Sequence, residues 1–192
     1  FINYFSKKTE IYKGMKLIDE KLGGTTPLEV ILKFPEKKED KLDEDDEFED
    51  WGDEEKNDDK YWFTKDKIET ISNIHNYLDS LPEIGKVLSF SSIVDVATQL
   101  NNNKPLGTLE MGVLYTKIPE NIKTEIIDPY ISIKDNEARI SLRIIDSQKD
   151  LKRNELIKKI NYDLQNQFGL SEDRYKLAGV MILFNNLLQS LF

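Results

Sequence analysis

A run of charge constrains this chain more than any other feature. Residues 43–59 hold twelve Asp or Glu and a single Lys. Like charges at this density repel, and the wider stretch 36–60 offers only Leu42, Phe48 and Trp51 as large apolar side chains. That is too little surface to offset the entropy of ordering the backbone. The folded body is therefore expected from the flanking residues, with 36–60 as a mobile acidic insertion. The net charge is −9, yet removing the run leaves 26 basic residues (27 − 1) and 24 acidic ones (36 − 12). A near-neutral body without a Lys/Arg run argues against nucleic acid as a partner, because phosphate binding needs a basic surface.

The chain has 192 residues, 39% of them hydrophobic, enough for one domain or two small packed lobes. It contains no cysteine, which removes disulfides, thiolate nucleophiles, Cys-ligated zinc and iron–sulfur clusters from consideration. No Asn-x-Ser/Thr acceptor occurs. No apolar stretch reaches the length that spans a bilayer, and no signal peptide opens the chain. Both ends are nevertheless apolar: Phe1, Ile2, Tyr4 and Phe5 at one, and VMILFNNLLQSLF over 180–192 at the other. A helix that apolar on most faces is buried or continues into lipid. Two such ends suit a soluble body excised from between membrane helices.

Between these ends the hydrophobic periods alternate. Ile11, Met15, Ile18 and Leu22 fall on one helical face, with Thr9 as N-cap and Gly23 as stop. Pro27–Phe34 reads as a strand ended by Pro35. After the acidic stretch, Ile68, Ile71, Ile74, Leu78 and Leu81 mark a second amphipathic helix closed by Pro82, and Ile84–Phe90 is expected as a strand parallel to the first, completing a βαβ unit. Residues 91–127 read as short helices over Ile93–Leu100, capped by Ser91 or Ser92, and over Leu109–Ile118 and Glu120–Ile127. Tyr130–Ile133 and Ala138–Ile145 form a hairpin, 149–168 a long helix with Ile157, Ile160, Leu164 and Phe168 on one face, and Lys176–Val180 a last strand. The fold class is α+β: ferredoxin-like or porter-type lobes, small sheets with helices packed on one face. One part covers about residues 10–90 and another 128–180, with a helical middle at 91–127. Each part is expected to have its own sheet.

Residue chemistry points away from catalysis. His75 is the only histidine and lies beside the apolar stripe of the second helix, so it reads as a structural hydrogen-bonding residue. No Gly-x-Ser-x-Gly, phosphate loop or His-Glu-x-x-His is present. An EF-hand loop with Gly52 at its sixth position would need ligands from Glu47, Glu49 and Trp51, and Trp51 cannot ligate. Gly23-Gly24 sits at the C-terminal end of a helix, the wrong end of the dipole for an anion, and reads as a turn. No catalytic residue, metal ligand or cofactor is expected, and no ligand-binding residue is identified.

The string Met15-Lys-Leu-Ile-Asp-Glu-Lys-Leu22-Gly23-Gly24-Thr25-Thr26-Pro27-Leu28-Glu29-Val30 resembles the segment that follows the first transmembrane helix in RND-superfamily exporters of the MMPL and hopanoid-transporter type. Tyr77-Leu-Asp-Ser-Leu-Pro82-Glu-Ile-Gly85-Lys-Val-Leu-Ser89 is similar to a second passage of that family, and the order hairpin, long helix, short strand, Gly179-Val-Met-Ile-Leu-Phe to a third. The resemblance covers nearly the whole chain; the acidic insertion departs from it. It implies a single extracytoplasmic domain, residues 1–192, between the first two membrane helices of a proton-driven exporter in a bacterial inner membrane, on the periplasmic side. The partners it implies are lipid or other hydrophobic cargo, the counterpart domain and the membrane helices of the same polypeptide, with homo-oligomerisation left open. The proton-relay acids of such exporters lie within membrane helices and so outside this chain. Two alternatives stand beside it: a binding or adaptor module whose acidic loop captures a basic partner or cations, and a hydrolase using distant carboxylates.

Overall fold

The computed structural model describes residues 2, 5–35, 59, 62–148, 151–183 and 187. The element order is α1 (Glu10–Lys21), β1 (Thr26–Lys33), α2 (Lys65–Asp79), β2 (Ile84–Leu88), α3 (Phe90–Leu100), α4 (Thr108–Lys117), α5 (Glu120–Ile126), β3 (Ile131–Ser132), β4 (Glu137–Ile144), α6 (Arg153–Asn166), a 3-10 turn (Glu172–Arg174) and β5 (Tyr175–Ala178). Alternating side chains drive β1: Thr26, Leu28, Val30 and Leu32 are buried while Pro27 and Lys33 are exposed. Each of its fully buried aliphatic side chains contributes about 1.5–3 kcal/mol relative to exposure. In β4 the same alternation buries Ala138, Ile140, Leu142 and Ile144.

All strands join one antiparallel sheet in the order β2-β4-β1-β5, with β3 paired to the start of β4. The parts 10–90 and 128–180 therefore do not carry separate sheets, as the sequence reading expected; their strands interleave. β4 enters between β1 and β2, and β1 enters between β4 and β5. β1 and β2 are parallel, as a βαβ unit requires, but split by β4. Two interlocked split units, β1-α2-β2 and β4-α6-β5, make a ferredoxin-like βαββαβ plan, with α3–α5 and β3 inserted at its centre. The physical reason is burial: apart from Thr26 at the start of β1, the inner faces of β1 and β4 are apolar, and pairing them places both under α2 and α6.

Both helices meet that face as their stripes predict. Ile71, Ile74 and Leu78 of α2 and Leu156, Ile157, Ile160 and Leu164 of α6 are buried. The helices are tied by the Tyr77 hydroxyl donating to Asp163, by Lys159 Nζ donating to the Tyr77 oxygen at 3.4 Å, and by the Tyr77 ring against Phe168 at 5.3 Å, while within α6 Lys159 also donates to Asp163 at 2.7 Å. The Lys159 hydrogen bond, then that from Tyr77, holds Asp163 below the usual carboxylate range, while burial and the neighbouring carboxylate push the Tyr77 phenol up. The other sheet face is polar, with Lys33 paired to Glu137 at 3.2 Å and Arg139 to Glu29 at 3.6 Å.

α1 departs from expectation. Thr9 caps it, its hydroxyl accepting the Tyr12 N–H, but Asp19 is its only fully buried residue. Of the apolar line that the periodicity places on one face, Ile11, Ile18 and Leu22 are exposed and Met15 is half-buried. Beyond α1 the chain turns through Gly23 and Gly24, at φ +80 and +100. A Cβ on Gly24 would sit 2.5 Å from the Ile144 carbonyl oxygen, and one on Gly85 only 2.7 Å from the backbone of Gly23. Glycine at these positions lets α1 close onto β2 and β4. Most of the acidic stretch, and 184–186 and 188–192 of the apolar C-terminal run, lie outside the described residues.

Candidate functional site

His75 of α2 is nearly buried and hydrogen-bonds through Nδ1 to Ser89 Oγ at 2.9 Å. This is the structural hydrogen bond that the sequence suggested, although its partner was not foreseen. A serine and a histidine at this distance invite a nucleophile–base reading. Three observations assign the pair to architecture. Ser89 has no exposed surface. Its Oγ also accepts the Ser91 N–H at 3.1 Å, which makes it the N-cap of α3. Ser92 Oγ accepts a weak bond from the Ser89 N–H at 3.4 Å, and Ser91 Oγ donates to Ser72 Oγ of α2 at 3.0 Å. The cap of α3 is thus Ser89 rather than Ser91 or Ser92, and the helix starts three residues earlier than its periodicity implied. Burial lowers the His75 pKa, opposed by Asp79 and Asp95.

At opposite ends of the sheet lie two polar clusters. At the start of β1, the buried Asp19 carboxylate accepts the Thr25 hydroxyl at 2.7 Å and the N–H groups of Asp146 and Ser147 at 3.0 and 2.7 Å. Burial opposes its charge, but these three bonds hold its pKa below the ordinary value. The Asp146 carboxylate, also buried, accepts the Ile2 N–H at 3.0 Å and pairs with Arg153 at the start of α6. Together they fasten α1 and Ile2 to the β4–α6 turn.

At the far end of β1, Asn136 occupies the β3–β4 turn at φ 53. Its amide Nδ2 donates to the carbonyls of Phe34 and Pro35 at 3.1 and 3.0 Å, and its Oδ1 accepts from Trp62 Nε1 at 2.9 Å and Lys67 Nζ at 2.7 Å. Lys67 lies over the Trp62 ring, 4.4 Å from its centre. One side chain thus clasps the residues preceding the acidic stretch to those following it.

Near this clasp a cavity of about 680 Å³ opens between α4, the α5–β3 junction and Asp59. Ile127, Ile131 and Ile133 give it an apolar floor, with Tyr115, Asp128 and Lys134 around them. Burial first, then Asp59, Asp128 and Glu120, raise the Tyr115 pKa. Lys123, almost fully buried, sits 4.4 Å from the Tyr115 ring centre and 3.3 Å from Glu120, so its charge is compensated. The adjoining helices expose large apolar side chains: Val96 and Leu100 of α3, Leu109 and Val113 of α4, and Ile122 and Ile126 of α5. Leu100 is 82% exposed. The apolar content of α3–α5 is plain in the sequence; that so much of it faces outward is not, because periodicity does not say which face finds a partner.

Among the described residues no group of His, Cys, Asp and Glu could hold a metal ion, and no helix is long and apolar enough to cross a membrane. No family model, curated protein or solved structure matches the chain.

Proposed function

We propose that this chain is the extracytoplasmic domain of an RND-type exporter and forms part of the path taken by lipid or other hydrophobic cargo. The carrying observation is polar placement. Ile2 and residues 179–183 lie at the same end of the sheet, where Ile2 is bonded to Asp146 and Gly179 packs against the Pro27 carbonyl. Val180 and Leu183 expose apolar side chains there. A body hung between two membrane helices needs both attachments on one side. The ferredoxin-like plan suits the porter-type lobes that the sequence resemblance implies, and the only Ser–His pair among the described residues serves a helix cap.

Cargo contact belongs on the helical insert rather than the sheet. The outer sheet face carries Glu29, Lys33, Glu137 and Arg139, whose charges an acyl chain would have to desolvate. The exposed aliphatic residues of α3–α5 carry no such cost. A fluorescent fatty-acyl probe should bind the 192-residue chain, and Leu100→Glu with Leu109→Glu should weaken that binding at least about tenfold, a loss of about 1.4 kcal/mol. Absence of binding at millimolar probe, or binding indifferent to the double variant, overturns the assignment of a cargo surface to α3–α5.

A further inference from the structure

We propose that α1 is a membrane-surface helix, lying in the headgroup region of an anionic bilayer with Ile11, Ile18 and Leu22 inserted. The inference deepens the reading above and rests on it for placing a membrane at this end of the fold. Ile11, Met15, Ile18 and Leu22 form one line along α1, spaced i, i+4, i+7 and i+11. Ile11, Ile18 and Leu22 are 57%, 43% and 60% exposed. The helix is not loosely placed: its C-terminal end is held by the three hydrogen bonds to Asp19 and by the close approach of Gly23 to Gly85. The body thus grips one side of α1 and leaves the adjacent apolar line uncovered.

Charge selects the occupant. Lys7, Lys8, Lys13, Lys16 and Lys21 lie on or just before α1, against Glu10 and Glu20 on its surface, while the Asp19 charge is buried among hydrogen-bond donors. This is a basic segment in a chain of net charge −9. The acidic stretch follows Pro35 at the other end of β1, eight residues and about 25 Å away. The chain therefore presents a cationic, apolar helix at one pole and attaches its carboxylate run at the other. An apolar stripe flanked by lysines matches an interfacial helix on anionic lipid, where burial and electrostatic attraction add. Val180 and Leu183 are exposed at the same pole, next to the start of β1.

Because the chain has no cysteine, a fluorophore attached at Ile18→Cys reports α1 alone. With vesicles of equal parts phosphatidylglycerol and phosphatidylcholine its emission should shift to the blue, and the same label at the exposed Tyr162→Cys of α6 should not shift. Pure phosphatidylcholine should give no shift, and salt at about 0.5 M should weaken the response. Adding Ile11→Glu and Leu22→Glu should reduce partitioning at least about tenfold. The proposal is overturned by no shift with anionic vesicles, by an equal shift on neutral ones, or by a concentration-dependent shift without vesicles, which would assign the stripe to a second copy. If vesicle binding fails while the acyl probe still binds α3–α5, only the α1 proposal falls. If the probe fails while α1 still binds vesicles, the cargo reading falls alone.

Discussion

Asn136 and Trp62, 74 residues apart, are joined by an indole N–H···Oδ1 hydrogen bond of 2.9 Å at the point where the acidic stretch rejoins the fold. The same Asn136 side chain holds Phe34 and Pro35, where the stretch begins. Asparagine is among the few non-glycine residues that accept a positive φ readily, so one residue supplies both the turn and the clasp. Asn136→Gly keeps the turn and loses the clasp; Asn136→Ala loses both. Urea unfolding should rank wild type above the glycine variant and that above the alanine variant, with the latter destabilised by about 2–3 kcal/mol. Equal stability of all three would show that the clasp carries no free energy.

With its base closed by Asn136, the acidic stretch should be dispensable to the fold. Replacing residues 36–58 with a linker of about five residues changes the closure entropy by about 1.4 kcal/mol in the stabilising direction. Removing like-charge repulsion acts the same way and fades in high salt. The shortened chain should retain its far-ultraviolet spectrum and melt at an equal or higher temperature. A melting point lower by about ten degrees, several kcal/mol for a domain this size, would mean that Leu42, Phe48 or Trp51 anchors the stretch to the body.

Asp19 sets an acid limit on the α1 end of the fold. Its pKa is depressed in the folded state, so folding is favoured by its charge above the ordinary carboxylate value, and that contribution is lost as pH falls through the folded value. Stability should thus drop below about pH 4. Asp19→Ala should cost about 3 kcal/mol at neutral pH, since it orphans the N–H groups of Asp146 and Ser147, and should flatten the acid limb of the profile. An unchanged acid limb in the variant would assign the loss to other carboxylates, with Asp146 the first candidate.

Local elements were legible in the sequence where one residue pattern decides them. The α2 stripe of Ile71, Ile74 and Leu78 and the alternation in β4 each encode both an element and its buried face. The strand order was not legible: β1 pairs along its whole length with β4, Val30 opposite Ile140, more than a hundred residues away, and nothing in either strand names the other. The α1 stripe looked the same as the α2 stripe because hydrophobic period reports amphipathicity and not the partner. Ser89 was missed as a cap because β2 ends at Leu88 and the helix starts at Phe90 with no loop between, so the run Ile84–Phe90 read as one strand passing through Ser89. Asn136 carried a turn signal; its role as a clasp depends on Phe34 and Trp62 arriving from elsewhere.

His75, the single histidine of the chain, is a direct reporter of the α2–α3 junction. Ser89 Oγ accepts the Ser91 N–H, and its own hydrogen is best used toward His75 Nδ1. The ring should then be neutral with its proton on Nε2, a tautomer that nitrogen chemical shifts distinguish. Burial lowers its pKa, so the unfolded chain takes up a proton before the folded one does, and stability should fall as pH drops below about 6.5. His75→Gln removes that titration. The variant's stability should be flat between about pH 7 and 5, the window set by an ordinary imidazole, where the wild type declines. Ser89→Ala should remove the α3 cap and cost about 1 kcal/mol, and should release the Nε2–H preference. An Nδ1–H tautomer donating to Ser89 would reverse the direction of the bond, and a ring protonated at neutral pH would remove the predicted decline.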